Sequence, residues 1–222
     1  MNKEEFKNKS HYNHEDLREL VMLLRRECPW DREQTHHSIR RGIIEEAYEV
    51  AEGIDREDPA MMAEELGDLL LQVLFHISLG EEQGTFTAEE VYDRICKKLI
   101  FRHPHIFADA PDASSSTEDG WAAIKRLEKG QHTLQEELDG IATTLPALTR
   151  AEKIAGKLYP KEEPNLKLLQ NEAASFAEKP DRERLGKLLF AAARAAKATK
   201  IDPEEALHRI NQDAITEICE NS

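Results

Sequence analysis

The chain has 222 residues, 44 of them acidic and 30 basic, for a formal net charge of −14. That balance argues against a binder of nucleic-acid polymers, which needs Lys and Arg to displace counterions from phosphate, while 40 % hydrophobic residues over a length of one large or two small domains argue against disorder. Apolar residues then recur at helical spacing almost throughout. Leu17, Leu20, Val21 and Leu24 follow the i, i+3, i+4, i+7 rule, with Asn13 as N-cap and Asp16 three residues later. Cys28-Pro29-Trp30-Asp31 breaks that helix. A second runs from about Thr35 to Ile54, and Asp58-Pro59 caps and starts a third that reaches about Gly80. After the turn at Gln83-Gly84, Thr87 and Glu90 form a capping box for a fourth helix ending near Phe101. Arg102 to Phe107 (RHPHIF) follows, and the polar stretch 110–120 reads as a linker. Further helices are predicted over 121–129, 147–158, 165–178, 181–200 and 203–220. With no period-2 alternation, the predicted fold is all-α.

Three cysteines, Cys28, Cys96 and Cys219, stand far apart without a CxxC pair, so no disulfide framework or zinc knuckle is expected and the implied compartment is a reducing cytoplasm. No apolar stretch approaches the ~18 residues of a membrane span, and MNKEEFKNKSHYN lacks a signal-peptide core, so no membrane association is expected.

The sequence repeats itself. EEAYEVAE (Glu45 to Glu52) is matched by NEAASFAE (Asn171 to Glu178), ELGDLLLQV (Glu65 to Val73) by RLGKLLFAA (Arg184 to Ala192), and AEEVYDRI (Ala88 to Ile95) by PEEALHRI (Pro203 to Ile210). Three matches in one order indicate a duplicated helical unit. The copies agree at apolar positions and differ at charged ones. Asn171, Ser175, Arg184 and Lys187 stand where the first copy has Glu45, Glu49, Glu65 and Asp68, whereas Glu46 is kept as Glu172. On the next helix Lys98 lines up with Asp213 and Arg102 with Glu217. The first copy therefore has a charge-dependent task that the second has lost.

At about 100° per residue, Glu46 and Glu49 border the apolar arc of the second helix, and Glu65 and Asp68 border that of the third. Packing the arcs together converges four carboxylates, which repel at neutral pH unless a cation compensates them. A hard divalent ion held through oxygen, Mg²⁺ or Mn²⁺, supplies that compensation, set against the alternative of a solvated Glu-rich face. Glu45 points further from the arc, as an adjoining acid. His76 lies on the same stripe and is read as a packed residue rather than a ligand, and the lack of a Glu-x-x-His pair argues against a di-iron bundle. Lys98 and Arg102, i, i+4 neighbours ahead of His103 and His105, either hold phosphate oxygens or complement the helix dipole. Trp30 either stacks on a base or anchors packing. No GxxxxGK[ST] loop is present, so P-loop chemistry is not expected.

These strings resemble the MazG-type nucleoside triphosphate pyrophosphohydrolases: ECPWD (Glu27 to Asp31), EEAYEV (Glu45 to Val50), EELGDLLLQVLFH (Glu64 to His76) and KLIFRHPHIFAD (Lys98 to Asp109). The resemblance implies an all-α fold of two tandem repeats, a catalytic domain over 14–109, a linker and connecting helix over 110–131, and a second repeat over 132–222 that departs from the family's pattern at Ser175, Arg184 and Lys187 and is therefore expected to be degenerate and non-catalytic. It also implies hydrolysis of the α–β phosphoanhydride of a nucleoside triphosphate to monophosphate and pyrophosphate, in nucleotide-pool cleanup or control. Carried over, the Mg²⁺ ligands fall on Glu46, Glu49, Glu65 and Asp68. Glu45 or Glu49 becomes the general base, and Lys98, Arg102, Trp30 and His103 the substrate contacts; a homodimer is expected. The alternatives are a narrower pyrophosphatase for dUTP or phosphoribosyl-ATP, and a non-enzymatic helical regulatory protein.

Overall fold

The computed structural model describes residues 3–108, 117–160 and 166–220. Among these residues every regular element is a helix, as the apolar period predicts. The elements are α1 (Lys3–Asn8), α2 (His14–Glu27), α3 (Pro29–Glu33), α4 (Arg40–Asp55), α5 (Pro59–Gln83), α6 (Ala88–Arg102), α7 (Pro104–Phe107), α8 (Glu118–Glu128), α9 (Leu134–Asp139), α10 (Ala147–Leu158), α11 (Leu166–Glu178), α12 (Arg182–Thr199) and α13 (Pro203–Glu220). The chain divides into two compact units, Met1–Phe101 and Arg102–Ser222. The boundary expected at 109–110 and most of the expected linker lie outside the described residues, and Thr117 already caps α8 through the Gly120 N–H. No helix among the described residues is long and apolar enough to cross a membrane.

In the first unit α4 and α5 form an antiparallel pair, and α2 packs on α5. The caps do what their residues dictate. Asn13 and Asp16 close a capping box on α2, Asp58 accepts from the Ala60 and Met61 N–H groups, and Thr87 and Glu90 bond each other's backbone at the start of α6. Two departures have local causes. The helix expected from Thr35 begins only at Arg40, because Thr35 and Ser38 bond each other's backbone N–H groups with their hydroxyls and hold a turn instead. Pro29 does not merely break α2; it takes the first turn of the short α3, where its missing N–H costs nothing.

The first unit's core is the C-terminal half of α5, Leu74, Phe75, Ile77 and Leu79, against Val21 of α2 and Ala88 of α6. Arg25 is buried beside it, pairing with Glu82 and lying over the Phe75 ring. The N-terminal half of α5 leaves Leu66, Leu70 and Val73 exposed, and α6 leaves Tyr92, Ile95, Leu99 and Ile100 exposed.

In the second unit α12 packs against both α10 and α11 around Ala155, Ala191, Ala193 and Ala195, while α13 leaves Leu207, Ile210 and Ile218 exposed. Its helix ends parallel those of the first unit. Asp181 caps α12 as Asp58 caps α5, and Lys200 closes α12 at φ 58°, ψ 34°, where Gly84 closes α5 at φ 65°, ψ 27°. A lysine in the left-handed region is uncommon; the backbone keeps the cap conformation although the glycine is gone.

Candidate active site

Glu46 and Glu49 lie one turn apart on α4, and Glu65 faces them from α5. The two helices approach closely because Gly53 presents no side chain to the Met62 backbone; a Cβ there would come within 3.1 Å of the Met62 nitrogen. The three carboxylates converge so that one oxygen from each lies within 4.8 Å of the others. Glu46 and Glu65 are half-buried and Glu49 is exposed. Burial pushes the Glu46 carboxyl above the usual range, helped by a hydrogen bond with Glu49 and the charges of Glu49, Asp68 and Glu65. Glu65 is raised likewise, by burial first and then by Glu49, Glu64, Asp68 and Glu52. The charges that shift both groups are other carboxylates. Two carboxyls share a hydrogen bond only when one carries a proton, and at neutral pH a cation can take that proton's place. The donor set is all hard oxygen, which fits Mg²⁺, Mn²⁺ or Ca²⁺ rather than a soft metal.

Asp68 acts on this group through its charge, but its oxygens lie outside the three-carboxylate cluster. Glu45 is turned to Arg41 one turn earlier on α4, with Nε–Oε1 at 2.6 Å. Lys98 is half-buried on α6. Arg102, assigned to the second unit, pairs with Glu128 of α8 through Nε at 2.9 Å and through its terminal nitrogen. The Trp30 indole on α3 is 66 % exposed, so it is not a packing anchor.

Sequence spacing missed a second-unit group around Trp121. The indole meets His103 at 5.2 Å between ring centroids, the Arg102 guanidinium at 5.7 Å and the Lys125 ammonium at 5.1 Å; His105 adjoins His103. Lys125 is depressed below the usual lysine range by burial and then by Arg102, Lys153, Lys129 and Lys157, a positive field that an anion would relieve. The i, i+4 spacing of Trp121 and Lys125 was the available signal.

His76 is not solitary either. His36 stacks on it with ring centroids 5.1 Å apart and an 8° interplanar angle, Nδ1 to Nδ1 at 2.8 Å, so one ring must donate and the other accept. Burial, then the neighbouring His36, lowers the His76 pKa from 6.5. A folded pKa below the unfolded one gives stability that is full above about pH 6.5 and is lost as the pH falls through the folded value. Melting temperatures between pH 7.5 and 5.5 should therefore decline in the native protein and stay flatter in His76→Phe; equal slopes would remove this pair as the cause.

The MazG nucleotide pyrophosphohydrolase domain model matches residues 34–107, a span that contains all three clustered carboxylates. The nucleoside triphosphate pyrophosphohydrolase/pyrophosphatase MazG of Thermotoga maritima is 38 % identical over 192 residues, covering 82 % of this chain and 74 % of that protein. The nucleoside triphosphate pyrophosphohydrolase of Escherichia coli is 36 % identical over 203 residues, covering 83 % and 76 %. The protein of the same name from Mycobacterium tuberculosis is 38 % identical over 137 residues, covering 61 % of this chain and 41 % of its own.

Proposed function

This chain belongs to the MazG family and is a nucleoside triphosphate pyrophosphohydrolase; from that premise we propose that it cleaves the α–β phosphoanhydride, releasing a nucleoside monophosphate and pyrophosphate, with Mg²⁺ held by the first unit. The convergence of Glu46, Glu49 and Glu65 from two helices carries the proposal. When bound, a hard divalent ion supplies the positive charge that admits a polyanion to an acidic site and acidifies the attacking water. Glu46, Glu49, Glu65 and Asp68 are the ligands that would hold the ion, the first three through their converging oxygens and Asp68 from beside them on α5. Glu49, the exposed member of the cluster, is also the proposed general base. Glu45 is the lesser candidate for that proton, since Arg41 already occupies it. Lys98 binds phosphate oxygens as a compact cation. Arg102, His103 and Trp30 are assigned to substrate contact as well; for Arg102 this competes with its Glu128 pair.

The second unit is proposed as a degenerate, non-catalytic repeat, supported by the matched caps of α5 and α12 and by Arg184 and Lys187 at the positions of Glu65 and Asp68. A homodimer is proposed, supported by the apolar rows that α5 and α6 leave exposed. The role is nucleotide-pool cleanup or control.

The test is incubation with each canonical and several damaged nucleoside triphosphates, with Mg²⁺ or with excess EDTA, followed by product separation. Monophosphate and pyrophosphate are expected with Mg²⁺ and neither in EDTA; diphosphate and orthophosphate would refute the assigned bond.

A further inference from the structure

The guanidinium of Arg102 is held along one edge. Its Nε, at 2.9 Å, and one terminal nitrogen both donate to the same carboxylate oxygen of Glu128, and the group lies over the Trp121 ring. Arg102 and Glu128 both belong to the second unit, and their side chains are only 15 % and 23 % exposed. We propose, resting on the reading of Arg102 as a substrate contact, that Glu128 is a positioning residue for phosphate recognition: by clamping the side edge of the guanidinium it fixes the direction in which the terminal edge meets phosphate oxygens.

One carboxylate does not exhaust an arginine. A guanidinium has a side edge, Nε with the terminal nitrogen beside it, and an end edge formed by the two terminal nitrogens, and either fork matches two oxygens of a carboxylate or a phosphate. Glu128 takes the side edge. Among the described residues no acceptor takes the other terminal nitrogen, Nη1, so the end edge keeps donors for a ligand and competition with Glu128 is confined to the side edge.

Two further features fit a clamp. Glu128 is the last residue of α8, where the helix dipole presents its negative end and a carboxylate is unfavourable. The helix gains nothing from it there; Arg102 does. Trp121, two turns earlier on α8, supports the guanidinium from below, and the indole meets His103 at 5.2 Å. With edge and face both held, the long side chain is ordered before the ligand arrives and loses little rotamer freedom on binding.

The direction of one substitution separates positioning from plain charge. Arg102, Lys153, Lys129 and Lys157 already make the surroundings of Lys125 cationic. Removing a carboxylate from such a field would by charge alone tighten an anion, whereas removing a clamp loosens it.

The experiment measures kcat and KM for the canonical nucleoside triphosphates, each with Mg²⁺, in the native chain, Glu128→Gln, Glu128→Asp, Arg102→Ala and the double variant Arg102→Ala/Glu128→Gln, with circular dichroism of each. Glu128→Gln is expected to raise KM about tenfold while kcat stays within about twofold. Glu128→Asp keeps the charge, shortens the reach and should raise KM as well; it carries the test if glutamine disturbs the fold. The double variant should be no weaker than Arg102→Ala alone, because Glu128 acts only through the arginine. A KM lowered or unchanged in the Glu128 variants while Arg102→Ala raises it would overturn the clamp and leave Arg102 as a substrate contact. Additive losses in the double variant, or a fall in kcat alone, would overturn it too. An unchanged KM in Arg102→Ala would remove the substrate contact itself and the clamp with it.

Discussion

The double substitution Glu65→Gln/Asp68→Asn is expected to lower kcat/KM for nucleoside triphosphates by about 10³-fold or more, roughly 4 kcal/mol of transition-state stabilisation. Glu65 contributes one of three oxygens that converge within 4.8 Å, and Asp68 adds its charge from the same helix. Without them two carboxylates of α4 remain, too few hard donors to hold a divalent ion against water. The same variant should melt higher than the native protein in EDTA at pH 7. A carboxyl raised in the folded state gives its full stability below its unfolded pKa and loses it as the pH rises through the folded one, so at pH 7 the ionised Glu65 is a net cost. Glutamine removes that cost and with it the reason to bind a cation. Native protein should gain in melting temperature on adding Mg²⁺ or Mn²⁺ and the variant should not. Charge reversal at Arg184 and Lys187 should leave hydrolysis intact. Full turnover in the double variant would mean the ion is held elsewhere.

Arg25→Met is expected to cost about 2–3 kcal/mol and to lower the first unit's melting temperature by about 10 °C or more, without touching the carboxylate cluster. Arg25 is 6 % exposed and does several things at once. It bonds Glu82 through Nε at 3.0 Å and a terminal nitrogen at 2.5 Å, donates to the carbonyls of Asp31 and Gln34, and lies over the Phe75 ring. Methionine keeps the packing and takes the arginine donor from the Gln34 and Asp31 carbonyls and from Glu82, of which Asp31 retains the Gln34 N–H and Glu82 retains Ser78. The figure sits below the range for a fully buried pair because Glu82 is 46 % exposed and finds water. For the same reason Glu82→Gln should cost clearly less, and calorimetric scans of both variants check the ranking. The arginine holds the stretch 31–34 against α5, and its pairing keeps Glu82 below the usual carboxylate range.

Much of this was legible because it is written at short range. The all-α fold follows from a 3.6-residue apolar period, and Asn13, Asp58 and Thr87 each cap the helix their position announced. The acid cluster was legible because i, i+3 spacing on two successive helices fixes which face each carboxylate takes. Partners distant in sequence were not. The pair between Arg102 and Glu128, 26 residues later, leaves no mark on local spacing. His76 reads as an isolated ring until His36 stacks on it across 40 residues. The short helices α1 and α9 escaped because six residues span less than two turns and carry no apolar period to detect.

The exposed row on α6, Tyr92, Ile95, Leu99 and Ile100, bears on what kind of quantity the protein's stability is. Among the described residues twelve apolar side chains are buried, five of them alanines. In the proposed homodimer a second copy would cover the remaining apolar surface, and unfolding would be a bimolecular equilibrium. The melting temperature then rises with protein concentration, and no single free energy belongs to one chain.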